Sequence, residues 1–380
     1  MGIPLAMGCW GQEEQGRRMQ CLRSGLGLNL SRRYLYAGAV AAVLALPAQV
    51  ARADEGGVSF WLPGFFGSLA AVPAQAPGWS VTAIDWHGTY AAGGNVALSR
   101  EIEIGHIPAN LTANVSANLN ANLDLAFVVA TYTFATPVLG AQASASLMGI
   151  YGNNSTTLAG TVAGTLALPG GGTKGFFLSD SIDSSLTAFG DLYPFYQMKW
   201  NSGVNNFTVY VTGDIPVGAY DRFRLANIGI GHWAIDAGGG YTYFDQKTGH
   251  EFSGMLGFTY NTINPASQYQ NGVDMHFDWG ASQFLTKQVQ VGLVGYLYQE
   301  IGCDSGSGDR VGCFQSRVLG VGPQFGYIFP VGDKMQGYIN LKAYGEFDNA
   351  NRAAGWNLWL TFNLSPAATP PTSSRPMFTK

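Results

Sequence analysis

Residues 109–124 read A-N-L-T-A-N-V-S-A-N-L-N-A-N-L-D. Every odd position is apolar: Ala109, Leu111, Ala113, Val115, Ala117, Leu119, Ala121 and Leu123. Every even position is polar: Asn110, Thr112, Asn114, Ser116, Asn118, Asn120, Asn122 and Asp124. Period 2 is the strand period, because successive side chains point to opposite faces. A helix would scatter these apolar residues around its axis. At about 3.4 Å per residue, the run reaches roughly 54 Å, long beside soluble strands of about 3–10 residues. Its apolar side chains are small, so a soluble sandwich would gain little core from them. A membrane-facing wall around an aqueous lumen fits better, with the apolar face toward lipid.

Composition points the same way. Charged residues are 12% of the 380, against about 25% in soluble domains. Glycine is abundant at 52, aromatics reach 13%, and mean hydropathy is close to zero. Together these suit a transmembrane β-barrel rather than a helical membrane bundle. A large secreted β-sandwich or β-helix is the competing class. The net charge of −4, with no basic patch interleaved with aromatics, gives no case for nucleic-acid binding.

The N-terminal region carries the layout of a secretory signal. Arg32 and Arg33 form the positive part, residues 36–46 the apolar part, and Ala51-Arg52-Ala53 an A-x-A cleavage site. Cleavage after Ala53 would start the mature chain at Asp54. Thirty residues ahead of Ser31 are unusual for a signal, so residues 1–53 are read as a signal with an added extension, and Met19 as an alternative start. Removing this segment takes Cys9 and Cys21 with it. Cys303 and Cys313 bound a Gly/Ser/Asp loop and are expected to form a disulfide.

Residues 54–77 are apolar and punctuated by Gly and Pro, a poor strand and a candidate lumen plug. Strands are expected near 79–90, 109–133, 139–151 and 156–168, with a turn at Gly152-Asn153-Asn154. Nine more follow: 189–201, 205–214, 235–245, 250–262, 273–286, 288–300, 315–330, 335–347 and 355–364. Connections among them alternate short and long, the long ones at 215–234, 261–272, 301–314 and 348–355. Short inner turns and long outer loops are the outer-membrane pattern. Parity requires an even count. Adding 174–180 gives 14 strands, and omitting it and 79–90 gives 12. The expected fold is therefore all-β, a transmembrane antiparallel up-and-down β-barrel of about 12–14 strands over residues 78–364. A Pro/Ser/Thr-rich tail at 365–380 is expected to be disordered.

Alternation assigns faces. Phe207, Val209 and Val211 oppose Thr208, Tyr210 and Thr212; Phe252, Leu256 and Phe258 oppose Glu251, Ser253 and Thr259. On the last strand, Trp356, Leu358, Leu360 and Phe362 oppose Asn357, Trp359 and Thr361. The apolar faces should meet lipid, almost free of charge, with aromatics near strand ends as interfacial girdles.

From Gly213 onward a series of motifs stands in order: G-D-I-P-V-G-A-Y-D-R-F-R-L-A-N-I-G-I-G-H-W-A-I-D, G-Y-T-Y-F-D-Q-K-T-G-H-E-F-S, F-D-W-G-A-S-Q-F-L-T-K-Q-V-Q-V-G-L-V-G-Y-L-Y-Q and S-R-V-L-G-V-G-P-Q-F-G-Y-I-F-P-V-G. With L-P-G-F-F-G-S-L-A-A near the start, these resemble the MetA-pathway phenol-degradation family of outer-membrane proteins across most of residues 58–364. The resemblance implies a transport barrel associated with aromatic catabolism and brings no catalytic residues.

Candidate lumen or gate residues follow from the wet faces. Asp274, His276 and Asp278 share one face at i, i+2, i+4, a pattern that could bind a metal or form a proton-sensitive gate. Same-face neighbours lie about 7 Å apart, so a charge network is the plainer reading and no metal or cofactor is expected. Lys342, Tyr344 and Trp359 are further lumen candidates, with Glu346 one row from Lys342 as its potential partner. Arg222 and Arg224 lie in the 215–234 loop, where they could attract anionic aromatics. No G-x-S-x-G motif stands in the sequence, and Ser253 and His250 point to opposite faces, so no enzyme is expected. The expected function is passive uptake of small hydrophobic or aromatic compounds through the outer membrane of a Gram-negative cell. Outer-membrane lipid, the solutes and the barrel-assembly machinery are the expected partners. The alternative is a structural or surface-binding barrel with a filled lumen.

Overall fold

The computed structural model describes residues 59–93, 114–167, 173–309, 312–313 and 315–367. The expected signal segment, cleavage site and alternative start, residues 54–58, the head of the Asn-rich run at 109–113, and the tail beyond residue 367 lie outside them.

Twelve strands follow in order: β1 (Gly78–Gly93), β2 (Asn114–Thr133), β3 (Gln142–Ala167), β4 (Thr173–Ser202), β5 (Asn205–Asp214), β6 (Ala234–Asp245), β7 (His250–Asn261), β8 (Asp274–Phe284), β9 (Val289–Glu300), β10 (Arg317–Val331), β11 (Met335–Ala350) and β12 (Ala354–Pro366). Each pairs antiparallel with the next, and β1 pairs with β12 through Val81↔Leu364 to Ala91↔Ala354, closing the barrel. Closure leaves no free edge within the cylinder, the condition for a sheet to cross lipid.

The count corrects the route to 14. Residues 139–151 and 156–168 are not two strands but the single β3, and 174–180 and 189–201 are the single β4. The expected Gly152–Asn154 turn is extended backbone. Asn153 donates to Ser185 and Thr187 on β4 and Asn154 to the Asn227 carbonyl, so both amides serve the sheet and its cover rather than a turn. The local irregularity is a register shift between Gly149 and Tyr151. The connection expected at 348–355 also shrinks, because β11 runs to Ala350 and β12 resumes at Ala354.

Most faces fall as alternation predicts. Phe207, Val209 and Val211 are 44–48% exposed while Thr208, Tyr210 and Thr212 are buried inside. Trp356, Leu360 and Phe362 face out, Asn357 and Trp359 in. Trp79, Tyr132, Phe207 and Phe252 lie toward one end of the exposed belt, and Phe189, Trp233, Tyr260 and Trp356 toward the other, as two aromatic girdles.

The Asn-rich strand is the exception. Ala117 and Phe127 are 1% exposed on the inside, with Leu125 also buried, whereas Asn118, Asn120, Asn122 and Asp124 face outward. The expected lipid-facing side is thus the inner one. Length is the reason: β2, β3 and β4 have 20, 26 and 30 residues, against 10 in β5. Their far halves rise past the apolar belt, where the outer face meets water. The inner face there packs against the 215–233 connection, with Ala117 and Leu158 clustered on Leu225. A second correction concerns charge: Asp85 and His87 of β1 face outward, beside Leu360 and Leu358 of β12.

Residues 59–77 run through the interior from the long-loop end to the short-turn end, where they lead into β1. Ser59 receives a bond from Arg352 at one end, and Ala74 exchanges bonds with Gln142 at the other. Phe60, Trp61, Phe65 and Phe66 of this segment join Trp86, Phe127, Tyr193, Tyr210 and Trp359 of the wall in one aromatic core.

Candidate functional site

Strand parity delivers the inward residues. Asp274, His276 and Asp278 of β8 and Lys342 and Tyr344 of β11 all point into the lumen and are buried, as is Trp359 of β12. Their main partner is the segment. Asp278 accepts the backbone N–H of Gly64 at 3.0 Å and of Phe66 at 3.1 Å. Lys342 donates to the carbonyls of Gly64, Phe65 and Phe66 at 2.6, 3.1 and 3.3 Å, and Tyr344 to Gly64 at 3.3 Å. One acid and one base thus satisfy the donors and acceptors of a single turn of irregular backbone, which would otherwise be buried unpaired. Gly64 is required there. Its φ is +87°, and an added Cβ would stand 2.9 Å from the Tyr344 ring. Glu346, expected to pair with Lys342, instead accepts from Tyr296 at 2.6 Å and from the Gly355 amide.

His276 has a different role. Its Nε2 lies 2.9 Å from Asp236, which also accepts from Thr259 at 2.6 Å. Trp61 stacks on the imidazole with ring centroids 3.8 Å apart and planes 12° apart. Asp274 sits apart from this group and accepts from Asn261 at 3.0 Å. The three residues of the β8 triplet are therefore partnered separately, and among the described residues no group of His, Cys, Asp or Glu is arranged to hold a metal. Trp359 donates to Asn357 at 2.9 Å and lies under the Lys342 ammonium at 5.0 Å.

Toward the short-turn end a second set of ties holds the segment. Leu69 N–H donates to Glu251 at 2.9 Å and Ala71 N–H to Thr242 at 3.0 Å. Glu251 also accepts from Ser253 and Ser282, and Lys199 donates to the Val72 carbonyl at 3.1 Å. Alternation puts Glu251 and Ser253 on the wet face but says nothing of what they hold, and it does not distinguish Thr242 or Lys199 from other inward residues. Inward parity was the available signal, but the segment they hold has no periodicity to reveal its path. Arg222 and Arg224 lie in the 215–233 connection rather than on the wall. Arg222 donates to the Ala266 carbonyl at 2.8 Å and stacks over Phe223. Cys303 and Cys313 are joined in the β9–β10 connection.

Several of the segment's strongest ties run to β7, β8 and β11. Against β2–β5 it leaves a narrow cleft of about 40 Å³, open on one side to solvent. Phe60, Trp61, Leu62 and Phe65 form one side; Phe127, Met148, Ile150, Tyr193, Phe195 and Thr212 form the other. Nine of these ten residues are apolar or aromatic, so the lining suits an oily or aromatic surface and gives little to a sugar or an ion, and a solute larger than a water enters only as these side chains move apart.

A closed up-and-down barrel with an exposed apolar belt, aromatic girdles and an occupied interior defines a transmembrane β-barrel. Residues 105–362 match the family described as "Putative MetA-pathway of phenol degradation", and the chain belongs to that family. Among solved structures, an outer-membrane channel from Pseudomonas putida F1 shares the fold at 10% identity and a TM-score of 0.56, over 80% of this chain and 100% of that one. Weaker likenesses reach the translocator domain of the autotransporter NalP from Neisseria meningitidis (8% identity, TM-score 0.34, 89% of this chain and 97% of that one) and a Pseudomonas aeruginosa FadL homologue (10%, 0.30, 83% and 96%). No curated protein matches the chain.

Proposed function

We propose that this chain is an outer-membrane channel for passive uptake of small hydrophobic or aromatic compounds, supplying phenol-type catabolism. The observation that carries this reading is the cleft between the segment and β2–β5, apolar on both sides and continuous with the aromatic core. Membership of a family described by phenol degradation, and a fold shared with a channel, support it. Solute would move down a gradient kept by catabolism inside the cell, and its aromatic surface would replace water against Trp61, Phe127 and Phe195. In this reading the chain is a conduit and not an enzyme. Export with cleavage after Ala53 and insertion by the barrel-assembly machinery belong to the same proposal.

A second reading is favoured by the ties themselves. The bonds from Asp278, Lys342, Tyr344, Glu251, Thr242 and Lys199 to the segment also suit a barrel with a filled lumen and no flux. Flux through the mature chain in liposomes separates the two. Phenol entering faster than a sugar or an aromatic acid, each against empty vesicles, is the expected result. Equal entry of all three would indicate a general pore, and no entry through a folded barrel would leave the filled-lumen reading.

A further inference from the structure

The rise of β2–β4 beyond the belt has no role in holding the segment. β5 pairs with β4 only over the 8 residues from Phe195 to Ser202 of its 30, so the 22 residues of 173–194 extend beyond that pairing. From Thr187, the first outward polar residue past Phe189, to Thr173 the strand climbs roughly 35 Å at a tilt of about 40°. In an outer membrane that height lies in the saccharide layer above the lipid.

The two faces of this wing differ sharply. Outward stand Asn118, Asn120, Asn122, Ser155, Ser185 and Thr187, all small and polar, with Phe177 high on β4 as an exposed apolar exception. Inward, β2 presents Ala117, Leu119, Ala121, Leu123, Leu125 and Phe127 in unbroken succession. Tyr90 and Trp86 of β1 stand directly beside Ala121 and Leu125. The 215–233 connection covers the β3–β4 side, where Asn154 bonds the Asn227 carbonyl and Ser184 receives the Ala226 amide. Leu119, Ala121 and Leu123 remain only partly buried. The strip is continuous with the cleft, because Phe127 lines it and Leu123 packs on the same aromatic core. Leu119 packs on the cluster of Ala117, Leu158 and Leu225, and Leu123 on the aromatic core, yet both keep part of their surface uncovered, and Ala121 between them joins neither cluster.

We propose that the inner face of β2 is an intake ramp, on which small apolar or aromatic solutes cross the saccharide layer before entering the cleft. This rests on the channel reading above. An apolar solute is poorly held among hydrated sugars, and a strip of leucines gives it area to cover at each step of the descent. The polar outer face keeps the same strands compatible with their surroundings.

The test uses the full mature chain in two kinds of vesicle, one of phospholipid alone and one with lipopolysaccharide in the outer leaflet, with naphthalene as the probe. The double variant Leu119→Asn/Leu123→Asn is compared with the unaltered chain and with Asn118→Ser/Asn120→Ser on the opposite face, all checked for folding by circular dichroism. The ramp predicts about tenfold slower entry for the leucine variant in lipopolysaccharide vesicles, and entry within about twofold of normal in phospholipid vesicles and for the outer-face variant. Normal entry for the leucine variant in both vesicles overturns the ramp alone. Equal slowing in both also overturns it, since the residues would then act on the cleft. No naphthalene entry through the unaltered chain in either vesicle removes the channel reading and the ramp together.

Discussion

Lys342→Met tests how the segment is held. The ammonium donates three hydrogen bonds, to Gly64, Phe65 and Phe66, from a nearly fully buried position. A hydrogen bond to a charged group contributes about 1.5–3 kcal/mol, but three bonds from one nitrogen do not add, and burying the ammonium has its own cost. Methionine keeps the stem and removes both the bonds and that cost. A net loss of about 2 kcal/mol in seating residues 64–66 is a reasonable balance. It corresponds to about a 30-fold increase in the unseated population. Amide hydrogen exchange reads this directly, because the Gly64 and Phe66 amides are held by Asp278 only while the turn is seated. Their exchange should accelerate about 30-fold, with the β7–β8 amides unchanged. Unaltered exchange at Gly64 and Phe66 would refute the reasoning, since the turn would then be held by packing of Trp61, Phe65 and Phe66 rather than by Lys342.

Three further outcomes follow from the geometry. Val209→Arg, on the lipid face, should lower barrel stability by about 2–4 kcal/mol in urea unfolding from vesicles, whereas Asn120→Arg, of the same outward parity but above the belt, should stay within about 0.5 kcal/mol; an equal penalty at both would place the Asn-rich face in lipid. Gly64→Val combines a positive φ with a clash on Tyr344, so it should unseat the turn and raise sugar entry into liposomes, and an unchanged rate would mean the turn does not gate polar solutes. Replacing Cys303 and Cys313 by Ser frees a loop whose closure contributes about 2–3 kcal/mol in the chain-entropy model; faster proteolysis within residues 301–316, with barrel stability in urea lowered by up to about that amount, is the expected pattern.

Alternation made the barrel legible in the sequence, and on β5, β7, β11 and β12 it also separated lipid from lumen. It could not do so for β2, because period 2 states only that two faces differ. Which face turns inward depends on height relative to the membrane, and that is set by the lengths of β3 and β4 and by Leu225 folding back across the sheet. The length of β3 was hidden by Gly152-Asn153-Asn154, whose turn-forming residues are held extended by contacts with β4 and the 215–233 connection, and that of β4 by the polar stretch between 180 and 189. In the lumen, Asp278, Lys342 and Tyr344 were findable as inward polar residues. Their purpose was not, since it depends on residues 64–66, between 212 and 280 positions away and without a repeating pattern.

The outward charges on β1 have a consequence for the bilayer itself. On β12 the apolar outer face spans five rows, from Trp356 to Leu364; on β1 it spans three, Trp79, Val81 and Ala83, before Asp85 and His87 interrupt it opposite Leu360 and Leu358. His87 is held by Asp124 of β2 at 2.6 Å, so the polar step continues onto the next strand. Two missing rows amount to roughly 10 Å of hydrophobic height. Lipid beside β1 and β2 must thin, or admit water and headgroups, to match the protein. The membrane around this barrel is therefore pinched on one side, and the pinch lies at the foot of the strands that rise above it.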